Sequence, residues 1–355
     1  MKVCKIENLA GGEELSRPVM TNDYQILLSA GTILTKEYIE KLNEIGIREV
    51  YINHKINTEE VVLLKEEIEE GFKIKVKDII EKHTYNHSDE LVELSKTADN
   101  IIINLLQEEE LVEKIYDIKE RSSDIYEHSI TICSLAILTS LKMNIPQHII
   151  HDIGVACLLH DLGLRYLTID YTERNLEEMN EIEMAEYKKH PVYGYSALKN
   201  EPWISEMSKN IVLYHHERLD GSGYPLKASN ISLEARIVSV CDAFDELICG
   251  IGCKKVKVYE AIKYLRANRD ILFDSSVVDV FLEFTAVYPA GSYVLTNEGE
   301  IGIVLRQNKN FPDRPFIKIV YDQTGNIIQY EVVKDLSILE NIYIEKVVEN
   351  INKIK

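Results

Sequence analysis

The chain has 355 residues, of which 45% are hydrophobic, and its formal net charge is −19. This length allows two or three domains with an ample apolar core. The acidic balance argues against a nucleic-acid polymer as a partner, because a phosphate backbone is repelled where no basic face is concentrated.

Cysteine spacing and the first residues indicate the expected compartment. The six cysteines show no spacing typical of a disulfide framework, and several lie in apolar runs. This pattern predicts reduced core residues of a cytoplasmic protein. Residues 1–10 lack the apolar core of a signal peptide, and no uncharged apolar run of about 18 residues predicts a membrane span.

Residues 1–57 have the pattern of a small α/β module. Residues 24–29 and 47–52 are strand-like, and residues 36–45 between them predict an amphipathic helix that ends before Gly46. The next segment, residues 58–120, is charged and has a helical period, so we expect a helical linker region with solvated acidic faces. Such helices could also pair with a second chain, which makes a homodimer one hypothesis.

Apolar helices that carry single histidines and acids follow. Asp124 and His128 are four residues apart, so a helix places both on one face, where they suit either a metal ion or a mutual hydrogen bond. The apolar run 153–159 predicts a buried helix that ends at His160 and Asp161. A buried carboxylate needs a cation, and the two oxygens of Asp161 could bridge two metal ions.

Two further positions extend this pattern. His190 precedes Pro191, which suits the first turn of a helix, so His190 is either a ligand or an ordinary cap or surface histidine. Residues 235–241 are mostly apolar and lead to Asp242. A lone acid in such a helix is costly unless it is paired, which favours a metal-ligand role.

The run His-His-Glu-Arg-Leu-Asp-Gly-Ser-Gly-Tyr-Pro at residues 215–225 is the most informative stretch. Adjacent side chains diverge on a helix, so His215 and His216 suit two different metal ions better than one. Gly223 lets the backbone approach a ligand, and Tyr224 can hydrogen-bond or stack on it. Taken alone, the run would also suit a polar turn after a helix.

The carboxyl-terminal segment, residues 287–355, changes to a strand pattern. Four short strands are predicted, at residues 292–295, 301–306, 316–321 and 327–333. Turn-forming residues connect them, which suits a small barrel-like or curled sheet that the amino-terminal strands could join. No ligand constellation is visible there, so we expect a packing or regulatory role.

The ordered histidines and aspartates resemble those of the HD superfamily of metal-dependent phosphohydrolases, and the run 215–225 is similar to that of the HD-GYP subgroup. The resemblance covers roughly residues 120–285. It implies a mainly α protein, with a helical HD-type domain at 121–286 between the α/β and β modules. It also implies a di-iron or di-manganese centre that hydrolyses cyclic di-GMP to pGpG, and in some members on to GMP, with a metal-bridging hydroxide as nucleophile.

The resemblance also implies roles for individual residues. One metal ion would be held by His128, His160, Asp161 and Asp242, and a second by Asp161, His190, His215 and His216. Asp124 falls where trinuclear members have a glutamate, which would give a third ion. Asp161 or Asp220 would manage protons, and the substrate would contact Gly223, Tyr224, Arg165 and Lys254.

Two departures concern the cations that would grasp substrate. Leu164 stands where the family motif has a lysine, with Arg165 one residue later, and Ile251 stands where an arginine is frequent. One lost charge-assisted contact costs roughly 1.5–3 kcal/mol. The alternatives are therefore a cyclic-dinucleotide sensor without turnover and an HD phosphohydrolase for another nucleotide.

Overall fold

The structure is a computed structural model that describes residues 2–9, 11–21, 26–52, 58–86, 89–108, 110–171, 174–328 and 330–348. Contacts between residues divide the chain into two compact units. One unit contains residues 1–60, 120–122 and 288–355, and it holds all the β-strands of the described residues. The other contains residues 61–119 and 123–287 and is helical.

The amino-terminal part is a small α/β arrangement, as predicted. Its elements are β1 (Lys2–Lys5), β2 (Val19–Met20), β3 (Ile26–Leu28), α1 (Lys36–Glu44) and β4 (Glu49–Ile52). β1 pairs with β4 and β2 pairs with β3, both antiparallel. Thr35 caps α1 by accepting the N–H of Tyr38, which explains where this helix begins. Part of the predicted strand at 24–29 lies outside the described residues, and β3 is the described part.

The helical unit has ten α-helices in its described residues. They are α2 (Glu66–Asn86), α3 (Glu93–Leu106), α4 (Ile125–Lys142), α5 (Gln147–Leu159), α6 (Glu181–Tyr187), α7 (His190–Leu198), α8 (Glu206–Tyr214), α9 (Leu233–Cys249), α10 (Val258–Ala267) and α11 (Ser275–Phe284). α2 and α3 confirm the helical prediction for residues 58–120. None of the helices in the described residues is both long and apolar enough to cross a membrane.

α4 is the central element of this unit. It packs against α5, α9 and α2, and every side chain from Tyr126 to Ser140 is buried. The sequence of α4 explains this position, because small and apolar residues cover its whole circumference rather than one face. The buried acid and the buried histidine of α4, Glu127 and His128, lie in its first turn. They therefore reach the end of the helix where α5 and α9 also bring polar side chains.

A 3₁₀ turn, Leu162–Tyr166, follows α5 and packs against α7. Gly163 makes this contact possible, because a Cβ atom at this position would overlap the carbonyl oxygen of His190. The close approach of the two backbones brings the end of α5 beside the start of α7.

The carboxyl-terminal part forms one antiparallel sheet. Its strands are β5 (Tyr293–Thr296), β6 (Ile301–Asn308), β7 (Phe311–Tyr321), β8 (Val333–Asp335) and β9 (Ile344–Val347), in the order β8-β7-β6-β5-β9. The strands predicted near 292–295, 301–306 and 316–321 are confirmed as β5, β6 and part of β7.

Three expectations for this sheet differ from the structure. In the described residues the predicted strand at 327–333 is reduced to a bridge at Ile327 and the start of β8, while β9 was not predicted. The sheet does not close into a barrel, because no ladder joins β8 to β9 among the described strands. The amino-terminal strands do not join it either, and in the described residues β1 pairs with β4 and β2 with β3 in two separate ladders.

Candidate metal centre

Five histidines and two aspartates from separate helices converge in the helical unit. Their ligating atoms form two groups, each within 4.8 Å, namely Asp161, His190, His215 and His216 in one and His128, His160 and Asp242 in the other. All seven side chains are buried, with Asp161 the most exposed at 9%. The sequence spreads these residues over more than a hundred positions, so their proximity results from helix packing.

Helix ends deliver most of these side chains. His160 and Asp161 follow the last residue of α5, His190 is the first residue of α7, and His215 and His216 follow the last residue of α8. His128 lies in the first turn of α4. Asp242 lies in the middle of α9, where an acid is buried only because the other groups surround it.

Asp161 lies between the two groups, and each of its oxygens faces one of them. Its Oδ1 is 3.3 Å from His190 Nε2 and 4.0 Å from His215 Nε2. Its Oδ2 is 3.3 Å from His160 Nε2 and 3.9 Å from His128 Nε2. A carboxylate with this orientation can bridge two cations, one held by each group.

Four of the histidines are oriented by hydrogen bonds from the other ring nitrogen. The Nδ1 atoms of His160, His190 and His215 lie 2.7, 2.9 and 2.8 Å from the carbonyl oxygens of Cys157, Tyr187 and Val212, and His128 Nδ1 lies 2.7 Å from Asp245 Oδ2. With Nδ1–H as the donor, the lone pair of Nε2 points at the centre in each ring. Metal-binding histidines are held in the same manner.

Several buried polar atoms at the centre have no hydrogen-bond partner. They are His128 Nε2, His160 Nε2 and both carboxylate oxygens of Asp242. An unsatisfied buried polar atom costs about 1–3 kcal/mol, and more if it is charged. Bound cations would satisfy all four atoms. The mixed imidazole and carboxylate set is a donor set for divalent transition metals, so the residues fit such ions.

The protonation states agree with ligand roles in one half of the centre. Burial lowers the pKa of His215 to about 3 and that of His216 well below its usual value, and burial also lowers the pKa of His190. These rings are therefore neutral, which is the form that binds metal. Burial alone would raise the pKa of Asp161, but the nearby rings, above all that of His160, lower it by more. The net pKa lies below the usual value, so Asp161 is an anion.

In the group of His128, His160 and Asp242, the two histidines have raised pKa values when no cation is present. Burial alone would lower the pKa of His128, but its contacts with Asp242 and Asp245 raise it well above the usual value. The pKa of His160 is also raised, because Asp161 outweighs burial. A metal ion entering this half therefore has to displace protons.

Tyr224 and Gly223 lie beside the centre. The Tyr224 ring stacks on the His216 ring, with centroids 4.5 Å apart and planes at 27°. A Cβ atom on Gly223 would lie 2.5 Å from His216 O and Arg218 N, so only glycine fits this turn. The peptide bond between Tyr224 and Pro225 is cis.

Comparisons with known proteins agree with this arrangement. The family model of an HD domain matches residues 110–277, and that of a KOW domain associated with HD domain matches residues 293–355. The solved structure of Bd1817, a HDG"Y"P protein from Bdellovibrio bacteriovorus, has a TM-score of 0.54 at 18% identity, over 79% of this chain and 97% of that one. This likeness concerns the fold.

Two curated relatives match part of the chain. Cyclic di-GMP phosphodiesterase PA4108 of Pseudomonas aeruginosa is 29% identical over 68% of this chain and 59% of its own length. Cyclic di-GMP phosphodiesterase response regulator RpfG of Xanthomonas campestris is 36% identical over 42% of this chain and 40% of its own. The match thus spans about half the length of these relatives. Residues 110–277 of the chain thus match the HD domain.

Two acids predicted for the site lie outside both groups. Asp124 caps α4, where its Oδ1 accepts the N–H groups of Tyr126 and Glu127, and its Oδ2 lies 3.9 Å from Lys73 Nζ. Asp220 is exposed, and its hydrogen bonds with Ser222 lower its pKa. Both carboxylates accept local backbone N–H groups, and neither belongs to one of the two groups.

The predicted substrate cations also lie apart from the two groups. Arg165 Nη2 donates to the Tyr85 hydroxyl at 2.5 Å and lies 3.8 Å from Glu81. Lys254 is exposed in the loop after α9. Leu164 is 1% exposed and packs in an apolar cluster with Met179 and Tyr187, so a lysine side chain there would have to leave the cluster.

Four residues that the sequence analysis did not single out adjoin the centre. They are Asp245, Glu246, Lys188 and Glu217. Asp245 contacts His128, and Glu246 lies beside His216 and Asp242. Lys188 Nζ is 5.7 Å from the Tyr224 ring centroid, and Glu217 follows His216 and accepts hydrogen bonds from the loop after it. Burial next to Asp242 raises the pKa of Glu246 well above its usual value. Helical spacing was the available signal for Asp245 and Glu246, since they follow Asp242 by three and four residues.

Proposed function

We propose that this protein is a metal-dependent phosphodiesterase that hydrolyses cyclic di-GMP to pGpG, and on to GMP if hydrolysis continues. The observation that carries the proposal is the orientation of Asp161, whose two oxygens face two separate groups of imidazoles. Two cations bridged in this manner are a known arrangement for phosphodiester hydrolysis. The names of the two curated relatives support the choice of substrate.

In this proposal His128, His160, Asp161 and Asp242 hold one ion, and Asp161, His190, His215 and His216 hold the other. Iron or manganese is favoured, because imidazole and carboxylate ligands occur together without cysteine. The bound ions would supply Lewis acidity and neutralise phosphate charge. Asp161 acts as a ligand and not as a proton donor, since its lowered pKa keeps it ionised.

The protein groups around the centre would position the substrate. Tyr224 offers an aromatic face beside the centre for a base or sugar. Glu217 holds the loop after it by accepting the N–H groups of Leu226 and Ala228 at 2.6 and 2.9 Å. Lys188 stands close to Tyr224 and is our candidate for the phosphate-binding cation that Leu164 does not provide.

The second candidate is a sensor that binds a cyclic dinucleotide without turnover. It is favoured by the burial of Leu164 and Ile251, which leaves two family cation positions apolar. Incubation of manganese- or iron-loaded protein with cyclic di-GMP, followed by chromatography of the products, separates the two. Formation of pGpG supports the phosphodiesterase, and binding without product supports the sensor. If cyclic di-GMP is neither bound nor hydrolysed, the substrate is another nucleotide.

Substitution at the centre provides the control for this experiment. His160→Ala and Asp161→Ala should abolish both metal content and product formation, because each removes a central ligand. His151→Ala is the matched control, since His151 pairs with Asp99 on the surface at 2.8 Å. Turnover that survives His160→Ala and Asp161→Ala would contradict the catalytic assignment.

We also propose a cytoplasmic homodimer. All six cysteines are described by the structure and no disulfide joins any of them, which suits a reducing compartment. Ile103 and Leu106 on α3 and Ile74 on α2 are exposed apolar residues on the helices that the sequence marks for pairing. A monomeric mass by light scattering at micromolar concentration would disprove the dimer.

A further inference from the structure

A third group of ligating atoms adjoins the two groups that Asp161 joins. His216, Asp242 and Glu246 each offer one ligating atom, and these atoms lie within 4.8 Å of one another. Asp242 and Glu246 are one helical turn apart on α9, so both carboxylates project from the same face. His216 reaches them from the end of α8.

The His216 ring lies between the two carboxylates. Its Nδ1 is 3.4 Å from Asp242 Oδ2, and its Nε2 is 4.0 Å from Glu246 Oε1. Unlike the four other histidines, His216 makes no hydrogen bond from either ring nitrogen to the described residues. Stacking on Tyr224 holds its plane instead. One ring nitrogen therefore faces each acid, and in the neutral ring one of the two carries the proton while the other is free to bind a cation.

Asp242 has an orientation similar to that of Asp161. Its Oδ1 faces the first half of the centre, 3.3 Å from His128 Nε2 and 3.7 Å from His160 Nε2. Its Oδ2 faces His216. Both oxygens are buried and lack a hydrogen-bond partner. The ion held by His128 and His160 would satisfy Oδ1. An additional cation on the side of His216 would satisfy Oδ2.

Glu246 makes the third group acidic without a balancing side chain. Within the described part of the chain, His216 is the one basic side chain within 4.0 Å of its carboxylate. The nearby Arg218 donates its Nη1 to the carbonyls of His215 and Glu217 and to Ser239 Oγ. Two neighbouring carboxylates repel each other unless a cation lies between them.

We propose that Glu246, Asp242 and His216 form a third divalent-cation position, and this inference rests on the proposed dinuclear centre. A neutral imidazole has one free nitrogen, so in the three-ion form His216 serves this position and leaves Asp161, His190 and His215 to the second ion. Glu246 is 18% exposed whereas Asp242 is 1% exposed, so the third position opens toward solvent. Its ion should exchange faster and bind more weakly than the other two.

This position would compensate for the missing substrate cations. Leu164 and Ile251 provide no charge, and a divalent ion at the solvent-facing side of the centre provides it for a substrate phosphate. Two carboxylates and one imidazole are suitable ligands for Mn²⁺. The third position therefore lies on α9 at Glu246 and not at the α4 cap occupied by Asp124.

Counting bound metal tests the proposal without using activity. The full chain is stripped with a chelator, dialysed against a series of Mn²⁺ concentrations and analysed for metal per chain. We expect about three Mn²⁺ in the wild-type protein, two tight and one weak, and about two in Glu246→Gln, which keeps the size of the side chain. Glu246→Asp should retain the third ion but bind it roughly 10- to 100-fold more weakly.

Asp124→Asn is the matched control, because asparagine caps a helix as well as aspartate does. It should still bind about three ions. Two ions in the wild-type protein, or three in Glu246→Gln, would overturn the third position, as would loss of the third ion in Asp124→Asn alone. Two ions in both proteins with weaker binding in Glu246→Gln would make Glu246 a residue that only orients His216. Fewer than two ions in the wild-type protein would instead contradict the dinuclear centre itself.

Discussion

Asp245 Oδ2 lies 2.7 Å from Nδ1 of His128, and both side chains are buried. The carboxylate accepts the proton of Nδ1, which leaves Nε2 free to face Asp161 and Asp242. A buried pair of this kind fixes both the tautomer and the plane of the ring. Asp245 therefore acts through His128 and is a positioning residue.

Replacing Asp245 by asparagine should weaken metal binding. The asparagine side chain would be nearly the same size but could present its amide N–H₂ to Nδ1 of His128, which favours the wrong tautomer. We expect affinity for the ion held by His128 to fall roughly 10- to 100-fold. Metal titration measures this effect, and Asp99→Asn is the control, since Asp99 makes a similar contact with His151 at the surface. Equal affinities in Asp245→Asn and wild-type protein would refute the role.

Gly163→Ala should disturb the junction between α5 and α7. The added methyl group would overlap the His190 carbonyl, so the backbone that presents His160 and His190 has to separate. Overpacking of this kind costs about 1–3 kcal/mol or more, and thermal unfolding measures it.

Gly71→Ala is the matched control for this change. Gly71 lies within α2, and a Cβ atom there meets nothing within 4 Å, so alanine should stabilise the helix by about 0.5–1 kcal/mol. We expect the melting temperature to fall in Gly163→Ala and to rise in Gly71→Ala. If both substitutions shifted the melting temperature upward, the close approach at Gly163 would not be a constraint.

Glu217→Gln should loosen the loop that follows the paired histidines. The buried Glu217 carboxylate accepts two backbone N–H groups, those of Leu226 and Ala228. Glutamine has one acceptor oxygen and turns an N–H₂ group toward the second donor, which costs about 1–3 kcal/mol. We expect a lower melting temperature and a higher KM for cyclic di-GMP. Glu37→Gln, at an exposed ion pair with Lys41, should change neither quantity measurably.

Lys188→Gln tests the proposed substrate cation. Removing its charge should weaken cyclic di-GMP binding about tenfold, the lower end of the range for a charge-assisted contact, because Lys188 is only half-buried. Metal content should not change, since Lys188 lies in none of the three ligand groups. The control is Lys189→Gln, whose lysine pairs with Glu186 on the surface at 2.9 Å. A loss of affinity shared by both variants would indicate a general charge effect.

Local patterns in the sequence were sufficient for much of the architecture. The apolar run before His160 predicted the buried α5, and the strand-like segment at residues 301–306 predicted β6. These predictions hold because helix and strand patterns depend on residues that are close in the chain. The order of histidines and aspartates also indicated the HD domain that the family model matches.

Only the tertiary structure decided which acids face the centre. Asp124 and Glu246 are both acids within a helical turn of a proposed ligand, yet the carboxylate of Asp124 accepts the N–H groups at the start of α4, whereas that of Glu246 lies beside His216. Leu164 likewise could be judged only from its burial under Met179 and Tyr187. A residue's type and local spacing define the chemistry it can offer, but the packing of α4, α5, α7, α8 and α9 determines which lone pairs remain free to bind a cation.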